Sequence, residues 1–274
     1  MRLFDSKELT KDKIKSYNFY FIIYKIKNHI LTITLNRTDK KNALHPQMIN
    51  EIALIMEYAK ISKYIRVIVI QANGDVFCSG LDLNAIKGKI DIHNSTVPKP
   101  KEKVLIGEIF SKCYKPIISK ITGDVYAGGH LIVANSTYAV ALENISFGLP
   151  EVKRGLFPMQ VMASLLRVMT PRNVIDWCIR GFNITSKKAK KWGLISVIAN
   201  RNNIDDIIDK WIQEIVSNSP KAINIGMEAF DSITNKSNDH QFLYEMLQKT
   251  MKSKDAEEGL KAFREKRKPK WLND

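Results

Sequence analysis

Residues 116–151 read PIISKITGDVYAGGHLIVANSTYAVALENISFGLPE. The stretch opens on a β-branched apolar run, Pro116 to Ile121, that reads as a buried strand. Gly123 and then Ala127-Gly128-Gly129 break the run. The apolar residues His130 to Val133 continue as a helix, with Gly128 at its N-terminus. Tyr138 to Leu142 and Ile145 to Phe147 read as two further short strands. Strand, glycine turn, helix and strand in close succession predict an α/β core with parallel strands.

The same alternation extends upstream. His29 to Leu35 (HILTITL) alternates apolar and polar residues as a half-buried strand does. His45-Pro46 opens a helix, since proline at the first helical position loses no hydrogen bond. Met48, Ile49, Ile52, Ile55, Met56 and Ala59 follow at helical spacing. Arg66 to Gln71 (RVIVIQ) is another buried strand. Residues 88–103, with Gly, two Pro and charges but no periodicity, read as a surface loop. Downstream of about 157 helices dominate, expected near 158–168, 172–180, 186–192, 204–217, 220–230, 239–252 and 255–267. Gly193-Leu194-Ile195 marks a helix end turning into a last short strand. These patterns divide the chain into an α/β core over 1–200 and a helical region over 201–274.

Composition narrows the class. The chain has 274 residues, 45% hydrophobic and 26% charged, which is ordinary for a globular protein and excludes collagenous, coiled-coil and wholly disordered chains. Its longest apolar runs, such as Val67 to Ile70, fall far short of the roughly 20 residues of a membrane span. The three cysteines, Cys78, Cys113 and Cys178, are widely spaced and give neither a disulfide framework nor a zinc site. Met1 to Asp12 mixes basic and acidic residues and has no apolar signal core, so a cytoplasmic location is expected. With 43 Lys+Arg against 28 Asp+Glu, the net charge is +15, a statement about partners rather than fold. Nucleic acid, an anionic membrane surface and a polyphosphate ligand all suit it, as do simple solvated lysine faces. No RNP, KH or zinc-finger pattern is present, so a nucleic-acid role ranks low.

Three glycine-containing junctions follow three strands, where open α/β sheets place their sites. They are Val76-Phe77-Cys78-Ser79-Gly80-Leu81-Asp82-Leu83, Gly123 to His130, and Phe147-Gly148-Leu149-Pro150-Glu151. Backbone N–H groups at Gly128 and in the Ser79-Gly80 turn can converge on one carbonyl oxygen; close helix–sheet packing and an ordinary β-turn are the plainer alternatives. Glu151, in an otherwise apolar stretch, suits a carboxyl that exchanges a proton near neutral pH. A solvated first-turn glutamate is the alternative there.

These junctions, in this order, resemble the crotonase (enoyl-CoA hydratase/isomerase) family. Leu35-Asn36-Arg37 with Lys41-Asn42-Ala43-Leu44 is similar to its first-strand signature, and Phe77 to Leu83 to its F-x-(A/S)-G-x-D-(L/I) element. Gly123 to Gly129 is similar to G-x-x-x-G-G-G with Ala127 for the first glycine of the triplet. Pro150-Glu151 then Gly155 is similar to P-E-x-x-x-G, Ile184 to Ile195 to a later helix–strand element, and Ser253 to Arg267 to a tail helix S-x-D-x-x-E-G-x-x-A-F-x-x-K-R. The likeness runs from about residue 26 to 270.

The resemblance implies a spiral of ββα units with a C-terminal helical trimerisation region, assembled as a homotrimer or hexamer. It implies an acyl-CoA substrate, with coenzyme A part of that substrate and no permanently bound cofactor or metal. The thioester carbonyl would lie between the N–H groups of Ser79 and Gly128, with Glu151 catalytic. The adenine part would meet Ala43, Leu44, Asp82 and Leu83, and Lys266 the phosphates. Asn42, Gly80, Leu81, Ala127 and Pro150 complete the binding set. The basic charge then faces a polyanionic ligand.

One departure bears on the chemistry. Hydratases of the family usually carry a second glutamate two residues after the glycine triplet, and here that position is Leu131. One glutamate suffices to move a proton between two carbons, so isomerisation of a 3-enoyl to a 2-enoyl thioester ranks slightly ahead. Hydration or dehydration, including on an acyl carrier protein, follows, then decarboxylation, and last a non-catalytic RNA-binding member. His130 is either a substitute acid/base or a packed residue. Asp124 and Tyr126 are candidates for the acyl pocket wall. Cys78 reads as packing.

Overall fold

The computed structural model describes residues 2–86, 88, 93–234, 244–245, 247–248 and 251–270. Among the described residues ten strands form two sheets: β1 (Ile22–Lys27), β2 (Ile30–Leu35), β3 (Val67–Ala72), β4 (Val76–Cys78), β5 (Ile117–Ile121), β6 (Asp124–Tyr126), β7 (Tyr138–Leu142), β8 (Ser146–Gly148), β9 (Asn183–Thr185) and β10 (Val197–Ala199). The larger sheet has the order β1-β2-β3-β5-β7-β10, the smaller β4-β6-β8-β9.

The repeat is a long strand in the larger sheet, a short strand in the smaller one, then a helical turn. β3 and β4, β5 and β6, and β7 and β8 are its instances, so the expected ββα spiral is present. Each long strand is buried, as its β-branched run requires: Val67 to Ile70, Ile117 and Ile118, and Ala139 to Ala141 are all nearly inaccessible. Pairing along β2-β3-β5-β7-β10 is parallel.

Two pairings among the described strands are antiparallel. β1 and β2 form a hairpin whose turn residues, Asn28 and His29, both have positive φ, the geometry that matches strand twist. β8 and β9 are the other pair. The sequence pattern does not reveal β1, because its outward-facing positions include the apolar Ile23 beside Lys25 and Lys27, although burial alternates along the strand. The Pro46–Ile61 helix packs on this hairpin through Glu51. That carboxylate is inaccessible and accepts the N–H groups of Tyr20, Phe21 and Ile22 at 3.0, 2.8 and 3.1 Å. At the other end of the helix, the Lys115 ammonium donates to the carbonyls of Ala59, Ser62 and Ile65, satisfying acceptors that the helix end leaves open.

The helices Met159–Leu165, Pro171–Arg180, Ser186–Lys191, Ile204–Ser217, Pro220–Thr234 and Lys254–Arg264 lie where periodicity places them. The expected helix over 239–252 falls largely outside the described residues, as does Trp271; Tyr244, Glu245, Leu247 and Gln248 within it are helical. The part of the 88–103 loop at 89–92 also lies outside them. The expected boundary near residue 200 is not a break in packing. Ile204, Ile208 and Ile212 of the Ile204–Ser217 helix are buried, Trp211 packs near Tyr138 of β7, and Arg66 beside β3 donates to the Val216 carbonyl. That helix belongs to the α/β core. Among the described residues no helix is long and apolar enough to cross a membrane.

Candidate active site

The smaller sheet explains why three distant junctions meet. β4, β6 and β8 run parallel and side by side, with Cys78 opposite Val125 and Tyr126 opposite Gly148. Their C-terminal ends therefore emerge together, about 4.8 Å apart per strand. Ser79-Gly80, Ala127-Gly128 and Leu149-Pro150-Glu151 are the next residues of each. They open onto a cavity of about 650 Å³.

The first junction is fixed by a buried polar scaffold. Leu44 and Leu81 form an isolated parallel bridge, in which Leu44 N–H donates to Gly80 O at 2.8 Å and Asp82 N–H to Leu44 O at 3.2 Å. Those bonds flank Leu81, so its own N–H faces the other side. That side is the Ala127-Gly128 turn: a Cβ placed on Gly128 would lie 3.4 Å from the Leu81 nitrogen. A Cβ on Gly80 would lie 3.0 Å from the Gly128 nitrogen and 2.6 Å from the Ala127 Cβ, and Gly80 has φ of +94°. Only glycine satisfies both demands.

This geometry corrects the expected pair of donors. The Ser79 N–H donates to the Lys41 carbonyl at 3.1 Å, because the Arg37–Leu44 loop runs alongside, and it is not available to a ligand. The N–H groups of Leu81 and Gly128 have no backbone partner among the described residues. Gly128 lies in the 3-10 turn Ala127–Gly129, whose first N–H groups have no partner within the turn. Ala127 itself has φ of +49°, where a Cβ costs roughly 1–2 kcal/mol. The His130 ring stabilises that turn through a 2.9 Å bond between Nδ1 and the Ala127 carbonyl.

Of the expected ligand-facing residues, Leu44, Ser79, Leu81 and Asp82 line the cavity, as do Leu83, Ala127, Gly128 and Glu151. Asn42, Ala43, Gly80, Pro150 and Lys266 are not in its wall. Asn42 is inaccessible and supports the loop from behind. Its Oδ1 accepts Arg37 N–H and its Nδ2 donates to the carbonyls of Asn73 and Val76, each at 2.8 Å. Asp82 pairs with Arg37 at 2.6 Å and caps the Leu83–Ile86 turn through the N–H groups of Asn84 and Ala85. Burial would raise its pKa, but the Arg37 bond and these N–H groups outweigh it and hold the carboxyl below its ordinary value. Arg37 also donates to the Ala43 carbonyl, so one buried guanidinium ties the Asn42–Leu44 loop to the Leu81–Asp82 junction.

Glu151 sits in the 3-10 segment Pro150–Arg154, its Oε2 without a hydrogen-bond partner among the described residues. Burial pushes its carboxyl up from 4.5 to about 7, against a lowering by its own backbone and by Arg154. Facing it are apolar cavity residues including Leu131, Leu156, Phe157 and Val161. The other carboxylates of the wall are differently placed: Asp82 is bound to Arg37, and Glu102 is exposed at the rim.

Two junction motifs meet over this segment. The Lys254–Arg264 helix lies so close that a Cβ on Gly155 would be 2.3 Å from Asp255 O, and one on Gly259 2.4 Å from the Arg154 carbonyl carbon. The tail motif and the P-E-x-x-x-G motif are thus two sides of one contact.

His130 is fully buried and packs edge-on against Trp177 with centroids 5.1 Å apart. Burial lowers its pKa to about 4, so the ring is neutral at physiological pH and stands outside the cavity wall. Asp124 and Tyr126 are also outside it: Tyr126 donates to Asp124 Oδ2 at 2.9 Å and Asp124 Oδ1 accepts Ser146 N–H, bridging β6 to β8. Cys78 and the other two cysteines are buried and unpaired with each other. Among the described residues no cluster of three or more His, Cys, Asp or Glu is placed to hold a metal ion.

Known proteins share this sequence pattern and this fold. A sequence model of the enoyl-CoA hydratase/isomerase family matches residues 25–274. The mevalonyl-coenzyme A hydratase sidH of Aspergillus fumigatus is 28% identical over 251 residues, covering 89% of this chain and 91% of that protein. The mitochondrial enoyl-CoA hydratase domain-containing protein 3 of Danio rerio is 26% identical over 256 residues, with 89% and 85% covered. Among solved structures, carnitinyl-CoA hydratase from Mycobacterium avium superposes with a TM-score of 0.81 at 24% identity, covering 94% of this chain and 100% of that one, a likeness of fold. The family match over nearly the whole chain, together with the two-sheet spiral and the three converging junctions, shows that the chain belongs to the enoyl-CoA hydratase/isomerase (crotonase) family.

Proposed function

We propose that the protein is an acyl-CoA enzyme that binds the thioester carbonyl with the N–H groups of Leu81 and Gly128 and moves a proton with Glu151. The observation that carries this reading is that two N–H groups from adjacent strand ends, with no backbone partner among the described residues, share a cavity wall with a carboxyl whose Oε2 is inaccessible and whose pKa is pushed up to about 7 by burial. Two such donors stabilise negative charge that develops on the carbonyl oxygen.

The reaction that asks no more than these groups is isomerisation of a 3-enoyl to a 2-enoyl thioester. The ionised Glu151 takes a proton from C2, the electron pair moves into an enolate held by the two N–H groups, and the same carboxyl returns the proton at C4. The 2,3 double bond forms as the 3,4 double bond is lost, with no net gain or loss of atoms. Leu131 supplies no second acid or base, and the neutral, packed His130 does not replace one.

Hydration or dehydration is the second reading, favoured by the names of relatives such as the mevalonyl-coenzyme A hydratase and the (E)-benzylidenesuccinyl-CoA hydratase of Thauera aromatica. The test is a paired assay. One arm offers 3-enoyl-CoA and follows the conjugated product; the other offers 2-enoyl-CoA and follows loss of conjugation as water adds. Isomerisation without hydration supports the first reading. Hydration at rates of about 1–10³ s⁻¹ supports the second. Silence in both arms, with simple and with carboxylated enoyl-CoA thioesters alike, overturns the proposal.

A further inference from the structure

The other arginines that are buried or half-buried have protein acceptors. Arg37 pairs with Asp82, Arg167 with Asp231, and Arg66 donates to the Val216 carbonyl. Arg154 is different. It is half-buried in the wall of the cavity, and among the described residues its guanidinium has neither an ion pair nor a hydrogen bond. Its close contact is Phe263, whose ring centroid lies 4.1 Å from Cζ. A cation over an aromatic ring has no oxygen acceptor in that contact, so the guanidinium keeps N–H donors of the kind that match a carboxylate bidentately.

Its placement relative to the reaction follows from local structure. Arg154 and Glu151 are three residues apart in one 3-10 segment, and side chains at that spacing eclipse. Both line the cavity, and each influences the other's ionisation. The wall of the same cavity is mostly apolar, with Leu131, Leu156, Phe157 and Val161, and its uncharged polar members include Gln160 and Gln248. The other cation in the wall, Lys103, is exposed at the rim and lies over Tyr244. A desolvated cation without an acceptor is costly, and an anion that enters with the ligand relieves it.

From this we infer that Arg154 is a specificity residue for a carboxylate carried on the acyl group, so that the natural substrate is a carboxylated acyl-CoA rather than a simple fatty acyl-CoA. The inference rests on the acyl-CoA reading above but not on which reaction follows. It is tested by binding of unreactive saturated thioesters, which requires no turnover. Calorimetry would compare glutaryl-CoA with pentanoyl-CoA, and succinyl-CoA with butyryl-CoA, on the wild-type protein, Arg154→Met and Arg154→Lys. The expected result is that the wild-type protein binds one or both diacid thioesters at least tenfold more tightly than the neutral partner. Arg154→Met erases the preference, and Arg154→Lys, which keeps the charge, retains part of it. Equal affinity of the wild-type protein for both members of each pair overturns the inference. So does an equal loss for charged and neutral ligands in Arg154→Met, which assigns Arg154 to the CoA phosphates. A shifted pH–rate profile with the preference intact also overturns it, leaving Arg154 as a modulator of Glu151 alone. Binding of neither series to the wild-type protein refutes the acyl-CoA reading itself, and the inference with it.

Discussion

At Glu151 one carboxyl carries a stability cost and, in the proposed reaction, the chemistry. Its pKa is raised from 4.5 to about 7 by burial, so the folded state holds its proton over a range where the unfolded chain has released it. The contribution of this one group to folding stability is therefore fully present below pH 4.5 and is lost as pH rises to about 7, about 3 kcal/mol at about 1.4 kcal/mol per unit. Glu151→Gln removes this dependence. The variant should unfold at higher denaturant than the wild type at pH 8, and the gap should close toward pH 4.5; a constant gap across that range contradicts the burial. In the proposed reaction the same pKa governs the pH dependence of the rate. With the ionised form as base, kcat/KM should fall tenfold per unit below a midpoint near pH 7. A midpoint near 4.5, measured in the isomerisation arm, would mean the carboxyl is hydrated. Sequence places Glu151 in an apolar setting, but its degree of burial depends on the Lys254–Arg264 helix, about a hundred residues away in the chain.

At the scale of elements, the three junctions are legible because glycine marks them and β-branched strands precede them. What is not legible is which N–H group at the first junction is left over. Ser79 and Leu81 flank Gly80, and the choice between them is made by the Leu44–Leu81 bridge and the Ser79–Lys41 hydrogen bond, both long-range backbone pairings. The three-residue strands β4, β6 and β9 are missed for a related reason: they are too short for periodicity and exist through their neighbours. The same junction yields a prediction. Gly80→Ala forces a Cβ to within 2.6 Å of the Ala127 Cβ at φ +94°, pushing the two donor-bearing turns apart. Turnover should drop by about 10²–10³, the usual cost of an oxyanion donor. Calorimetry of CoA binding and a circular dichroism melt separate this from unfolding, and wild-type turnover would show that the turns do not act as a pair.

For the whole molecule, the α/β core and the positions of most C-terminal helices follow from periodicity, the ββα spiral is implied only by the family resemblance, and the way the helices close on the core is legible in neither. The Ile204–Ser217 helix reads as part of a separate helical region and instead covers the larger sheet, because Ile204, Ile208 and Ile212 share one face. Beyond it the apolar surface is not fully covered within one chain. Ile175, Ile179, Ile225 and Phe230 are 44%, 57%, 53% and 63% exposed. Exposed apolar residues are ordinary singly, and these four are candidates for a contact between copies of the chain. The family resemblance implies a trimer or hexamer, which size-exclusion chromatography with light scattering tests. A monomer at micromolar concentration would contradict that expectation.

The proposed chemistry depends on Glu151 moving the proton while the backbone of Leu81 and Gly128 holds the thioester. Turnover of Glu151→Gln decides it, in the arm of the paired assay where the wild-type protein is active, with acyl-CoA affinity measured in parallel. Gln keeps the shape and removes the titrating group. The expected result is a fall in kcat of at least about 10³, within the range of a lost acid/base, with acyl-CoA affinity within a few fold of wild type. Turnover within tenfold of wild type, at unchanged affinity, would show that the proton is moved elsewhere and that the assignment of Glu151 is wrong.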